Sequence, residues 1–193
     1  MDLLSKRINS LPISATLSMA AKARELKNNG VDIIGLSLGE PDFNTPEFIK
    51  DAAINAVNDN WNSYSPVDGY LDLKAAICNK FKRDNGISYE SSQIVVSTGA
   101  KQSIANVCMV LLNPGDEVLL PAPYWVSYSA IATLAEAESK IIPTSIDTDF
   151  KITPEQLENS INSKTKLVMF NSPNNPSGTI YTENELRALG KVL

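Results

Sequence analysis

The alternation of apolar and polar positions switches repeatedly between a helical and a strand-like period. Ile49, Ala52, Ala53, Ala56 and Val57 follow the i, i+3, i+4, i+7, i+8 spacing of a half-buried helix. Thr45-Pro46-Glu47 reads as its start: a capping threonine, a proline in the first turn and an early acid. Leu71, Ala75, Cys78 and Phe81 predict another helix, closed by Gly86 as a C-cap. Ile94-Val95-Val96 is a short strand-like run. A helix opens after Ser97-Thr98-Gly99-Ala100, with Ile104, Val107, Cys108, Leu111 and Leu112 on one face. Asn113-Pro114-Gly115-Asp116 marks a turn. Beyond it, Glu117 to Leu120 predicts a strand, Tyr124 to Ala137 a helix and Ser139 to Ile142 another strand.

Thr153-Pro154-Glu155-Gln156 and Thr182-Glu183-Asn184-Glu185 both fit the capping box that opens a helix. Between them, Leu167-Val168-Met169-Phe170 is a continuous apolar run, typical of a strand buried on both faces. Strands alternating with helices at this spacing predict an α/β fold. Its sheet is mostly parallel, with helices on both faces, and an N-terminal helical segment precedes it. The last helical stripe carries Leu186, Leu189, Val192 and Leu193 with no cap after it. Such a stripe needs a later element to cover it, so the chain is expected to be incomplete.

Composition narrows the function. Of the 193 residues, 43% are hydrophobic and 20% charged, which suits a globular domain rather than a disordered or fibrous one. A net charge of −5 with no basic run argues against a nucleic-acid surface. No apolar run approaches the roughly 20 residues that span a bilayer, and Met1 to Ser14 has no signal-peptide pattern. A cytoplasmic location is the expectation. Cys78 and Cys108 sit in apolar helical patterns and read as reduced core residues. Histidine is absent, which excludes Ser-His-Asp and Cys-His catalysis and the usual zinc sites within this chain; no metal is expected. Proton transfer falls to Lys, Tyr, Cys, a carboxylate or a bound cofactor.

Four segments are candidates for chemistry. Asn171-Ser172-Pro173-Asn174-Asn175-Pro176-Ser177-Gly178 follows the buried strand, where open α/β sheets bind ligands. It is either a stiff, amide-bearing site or a plain strand-to-helix turn. Ser97-Thr98-Gly99-Ala100-Lys101-Gln102 offers a helix N-terminus, hydroxyls and a lysine to an anion, or is a capped helix with no ligand. Its spacing matches neither a P-loop nor a dinucleotide fingerprint. Pro121-Ala122-Pro123-Tyr124-Trp125-Val126-Ser127-Tyr128 places aromatics past a strand, to stack on a flat heterocycle or to fill the core. Ser37-Leu38-Gly39-Glu40-Pro41-Asp42-Phe43 is a turn whose Gly39 backbone can meet a small anion.

In order and spacing these segments resemble the fold-type I, pyridoxal-phosphate-dependent aminotransferases of class I/II. They carry a GEPDF-like loop, a GxKQ-like phosphate turn, a PxYxxY-like aromatic segment and an NxPxNPxG-like turn. The likeness is strongest to the bacterial and archaeal aspartate aminotransferase subgroup, through Ser14-Ala15-Thr16 and Tyr124-Trp125-Val126-Ser127-Tyr128. It covers the N-terminal half of such an enzyme. It implies residues 1–45 as an N-terminal arm with part of a small domain, and 46–193 as a truncated, cofactor-binding large domain.

The resemblance implies pyridoxal 5'-phosphate as cofactor. Gly99, Ala100 and Lys101 would hold its phosphate, Trp125 would stack on its ring, and Asn175 would donate to its phenolic oxygen. Tyr64 would reach the phosphate of a neighbouring subunit, which implies a homodimer. Gly39, Trp125 and Asn175 would meet the amino-acid substrate, while Thr16 and Lys101 would meet its distal carboxylate. Lys101 supplies a compact, hydrated charge for that task. Pro12 stands where relatives that accept prephenate often carry a basic residue, which leans away from prephenate. The implied reaction moves an amino group between L-aspartate, or a similar amino acid, and a 2-oxo acid such as 2-oxoglutarate.

The Schiff-base lysine, the acid at the pyridine nitrogen and the arginine that clamps the α-carboxylate all belong to the family's second half. No catalytic residue is therefore assigned in this chain, which is expected to be inactive alone. Other fold-type I enzymes, such as a β-lyase or a synthase, share this half, and so would a non-catalytic cofactor-binding fragment.

Overall fold

The computed structural model describes all residues except Met1, Asp2, Ser14, Ser37, Leu38 and Glu40; of Ala15 only the backbone is described. Helices α1 (Lys6–Asn9), α2 (Ala15–Asn28), α3 (Glu47–Asn58), α4 (Leu71–Lys80) and α5 (Ala100–Leu111) precede the sheet. Strand β1 (Glu117–Pro121), α6 (Ser127–Leu134), β2 (Glu138–Ile142), α7 (Pro154–Ser160), β3 (Thr165–Val168) and α8 (Glu183–Gly190) follow. The chain divides into two compact units, residues 14–98 and residues 99–193 together with 1–13.

The second of these holds the sheet. Its three strands are all parallel, in the order β2-β1-β3. Central β1 explains why. Val118, Leu119 and Leu120 have no exposed surface, so this strand is apolar on both sides. Each such side chain contributes about 1.5–3 kcal/mol when buried. Val118 and Leu120 join one core with Cys108 and Leu112 near the end of α5 and Tyr128, Ile131 and Ala132 from α6. Leu119 joins the opposite core with Ile142, Leu157 of α7, and Tyr181 and Leu189 around α8. The path from β1 to β2 uses α6 on one face, and the return past β1 to β3 uses α7 on the other. Two crossovers of the same hand running in opposite directions place their helices this way.

The caps follow the sequence. The hydroxyls of Thr153 and Thr182 accept from the amides of Gln156 and Glu185, and both capping boxes close. Lys151 donates to Glu185 at 2.8 Å. That bond, aided by the Thr182 amide and hydroxyl, holds the Glu185 carboxyl down to about 2. Gly86 adopts the left-handed conformation at φ 69° and ends the helical stretch begun by α4.

Several expectations change. Ile94 to Val96 pairs with no strand; the Val96 amide donates instead to the Asp68 carbonyl at 3.0 Å. A β-branched run encodes extended backbone but not a neighbour to pair with. The cap of α3 is Pro46 rather than Thr45: Pro46 itself is extended, at ψ 141°, so the helix opens one residue later, with no side-chain cap bond. The apolar stripe of α3 is also not half-buried: Ile49 and Val57 are exposed and the helix has no buried residue. Amphipathic spacing specifies a face, whereas burial needs a facing surface. Of the predicted core cysteines, Cys108 is fully buried and Cys78 partly so, and both are free thiols. Among the described residues no helix is long and apolar enough to cross a membrane.

Candidate functional site

Parallel strands send every outgoing loop to one edge of the sheet. The segments after β1 and β3 therefore leave from the same edge. Helix α5 brings its start there too. Its last turn runs into β1 through a tight turn in which the Asn113 amide donates to the Asp116 carboxylate at 2.8 Å. A 12-residue helix is about 18 Å long. A five-residue strand spans about 17 Å. Running back along β1, α5 thus opens level with the outgoing end of the strand.

Gly99 caps α5 at φ 83° and ψ 164°, backbone that side-chain-bearing residues strongly disfavour. No heavy atom lies within 4 Å of where its Cβ would stand. The glycine thus answers to backbone conformation rather than crowding, and the space beside the first turn of α5 is open. Amides in such a turn point outward, with partial positive charge.

Two turns of chemistry meet here. The Lys101 ammonium lies 4.9 Å from the centroid of the Trp125 ring, a cation–π contact. Trp125 is half-buried against the core shared by α5 and α6. Its ring meets the edge of buried Tyr128 at 5.6 Å and 83°. One part of the indole is fixed by packing while another faces a cation at a helix start.

The 171–178 segment is joined to the same place. Asn174 donates from Nδ2 to the Pro123 carbonyl at 3.3 Å. Its Oδ1 accepts from the Ser177 amide and hydroxyl at 3.1 and 2.9 Å. The Asn171 amide group donates to the Pro173 carbonyl at 2.8 Å, and the Tyr181 amide donates to the Ser172 hydroxyl at 3.0 Å. These bonds brace a loop whose tip carries exposed Asn175. Asn171 Oδ1 is buried with no hydrogen-bond partner.

Gly99, Ala100, Lys101, Trp125 and Asn175 therefore belong to one unit, with direct contact between Lys101 and Trp125. Thr16, Gly39 and Tyr64 belong to the unit spanning residues 14–98 and are described within it. Thr16 is half-buried in the first turn of α2, Gly39 is exposed, and Tyr64 is fully exposed. Ser37, Leu38 and Glu40 of the Gly39 loop, and Ser14 beside Thr16, lie outside the described residues.

Sequence reasoning missed Asn174 as the residue that ties two site segments together. It also missed Lys74, which is buried and bonded to Asp68. The signal for Lys74 was present: it lies three residues after Leu71 and four before Cys78, a lysine on the inward stripe of α4.

An open parallel sheet, a helix start, an ammonium and a pinned indole at one edge define an α/β domain suited to a flat molecule bearing an anionic group. The chain belongs to the aminotransferase class I and II family, whose profile matches residues 31–193. An aspartate/prephenate aminotransferase of Nitrosomonas europaea is 49% identical over 190 residues, 98% of this chain and 48% of the relative. The aspartate aminotransferase of Bacillus subtilis is 49% identical over 189 residues, with the same coverage. The solved aspartate aminotransferase of Thermus thermophilus with maleate superimposes with a TM-score of 0.95 at 39% identity, covering 100% of this chain and 50% of that one. The chain thus spans about half the length of the relatives it matches.

Proposed function

We propose that this chain carries the cofactor-cradling half of a pyridoxal-phosphate-dependent aminotransferase acting on aspartate or a similar amino acid with a 2-oxo acid. One observation carries the reading: Lys101, at the open start of α5, lies against the face of Trp125. A cation, outward amides and an aromatic surface suit a phosphate joined to a flat ring, so the residues present fit pyridoxal phosphate.

In this reading residues 46–193 supply the cofactor-binding part, and 1–45 an N-terminal arm with part of a small domain. Gly99, Ala100 and Lys101 hold the phosphate, and the helix start contributes about 0.3–2 kcal/mol. Trp125 stacks on the ring and limits its tilt. The Asn175 amide donates to the ring's phenolic oxygen and helps hold the substrate carboxylate, and the Gly39 backbone is a further group for that carboxylate. Thr16 and Lys101 face the distal carboxylate; maleate on the Thermus thermophilus relative is a dicarboxylate of that kind. Tyr64 reaches the phosphate of a second subunit, making a homodimer the working form. When bound, the cofactor supplies the electron sink for proton removal at the substrate Cα. This chain's residues bind, orient and shield; the lysine that moves the proton belongs to the family's second half.

The test joins this chain to the remaining half of the Bacillus subtilis enzyme. The chimera should take up pyridoxal phosphate and move an amino group from aspartate to 2-oxoglutarate, and a Lys101→Ala chimera should lose affinity for both. The 193-residue chain alone should give neither turnover nor a borohydride-reducible adduct on one specific lysine. Release of ammonia or pyruvate in place of transfer would replace the reading with a lyase. Prephenate is a second arm, because the Nitrosomonas europaea relative bears that name whereas Pro12 argues against it.

A further inference from the structure

Within residues 14–98 the loop from Trp61 to Tyr70 is closed at its base and bare at its tip. The rings of Trp61 and Tyr70 meet edge to face at 5.4 Å. The Gly69 amide donates to the Pro66 carbonyl at 3.0 Å, and the Asp68 carbonyl accepts from the Val96 amide at 3.0 Å. Gly69, at φ 101°, is pressed so close to Val96 that a Cβ would stand 2.5 Å from Val96 Cγ2. The Asp68 carboxylate, held below its usual range by Lys74, accepts from the ammonium of that buried residue on α4. Tyr64, at the tip, has a relative exposure of 106%. Its position is therefore set by the base of the loop.

An ion pair with one partner buried and the other half-exposed adds little stability, but it is directional. We propose that Lys74 and Asp68 are a positioning pair that fixes the loop so that Tyr64 presents its hydroxyl outward to the phosphate of a second subunit's cofactor. This rests on the role given to Tyr64 above.

Two measurements separate this proposal from that role. In the 193-residue chain, Lys74→Met should speed hydrogen exchange at residues 61–70 and at the Val96 amide, and Lys74→Arg should restore protection. Unchanged exchange overturns the clamp whatever binds. In the chimera, Tyr64→Phe should weaken pyridoxal phosphate binding about tenfold, the loss of one hydrogen bond to a charged group. Lys74→Met and Asp68→Asn should each do nearly the same. Combined with Tyr64→Phe, each should add little, as groups acting through one another do. Asp68→Asn serves if Lys74→Met fails to fold, because the Asp68 side chain is 47% exposed. Additive losses, or weakening by Tyr64→Phe alone, overturn the positioning pair and leave the cofactor reading standing. No binding by the unsubstituted chimera overturns both.

Discussion

The two units bury very different amounts of what their sequences offer. Among the described residues, every buried hydrophobic side chain except Ile94 lies in the unit that holds the sheet. Residues 14–98 contribute Ile94 and the charged Lys74, while Phe48, Ile54 and Val57 of α3 stand exposed. The difference shows what each kind of element can do by itself. A central parallel strand recruits cover on both faces and gathers two cores around one apolar run. An amphipathic helix declares a face and waits for a surface to meet it.

Substitutions can break or sharpen this contrast. The largest effect is expected at β1. Leu119→Ala should cost about 2–5 kcal/mol, read from the urea midpoint of unfolding. Val57→Ala on α3 should change it by no more than about 0.5 kcal/mol. Comparable losses at the two sites would show that α3 is covered in solution. Next comes Gly69→Ala. Positive φ and contact with Val96 leave no room for a methyl, so about 1–3 kcal/mol should be lost even in the sparsely buried unit. The smallest effect concerns Glu185, whose carboxyl lies at about 2 instead of 4.5. A depressed carboxyl stabilises the fold fully above 4.5, and this contribution fades as pH falls toward about 2. The melting temperature of Glu185→Gln should therefore lie below that of the parent at pH 6 and approach it as pH drops through that window. A gap that stays constant with pH would remove the Lys151–Glu185 bond as its cause.

The sheet unit was the more legible half. The capping boxes at Thr153 and Thr182 and the apolar run of β1 are local signals with local causes, as is the glycine cap at 86 in the other unit. The errors fall where a partner decides. Ile94 to Val96 reads as strand because its residues favour extended backbone, yet a strand exists only when another pairs with it. The start of α6 at Ser127 rather than Tyr124 has a similar reason. Ala122 donates to the Ile142 carbonyl at 2.9 Å, so the chain is still leaving β1 where helical spacing already begins. For the site, Gly99, Lys101 and Trp125 could be picked out by residue type next to a strand end. Asn174 could not be told from Asn175, since only folding reveals which amide turns inward to Pro123 and which is left at the tip. Lys74 was visible as a charge on an apolar stripe, but its partner Asp68 lies outside the helix and was not.

The placement of the two tryptophans gives the molecule a built-in pair of optical reporters. Trp61 sits in one unit against Tyr70, and Trp125 sits in the other beneath an ammonium. Replacing either indole with phenylalanine leaves a single tryptophan, so melting of the sheet and loosening of the Tyr64 loop are followed in two separate fluorescence records.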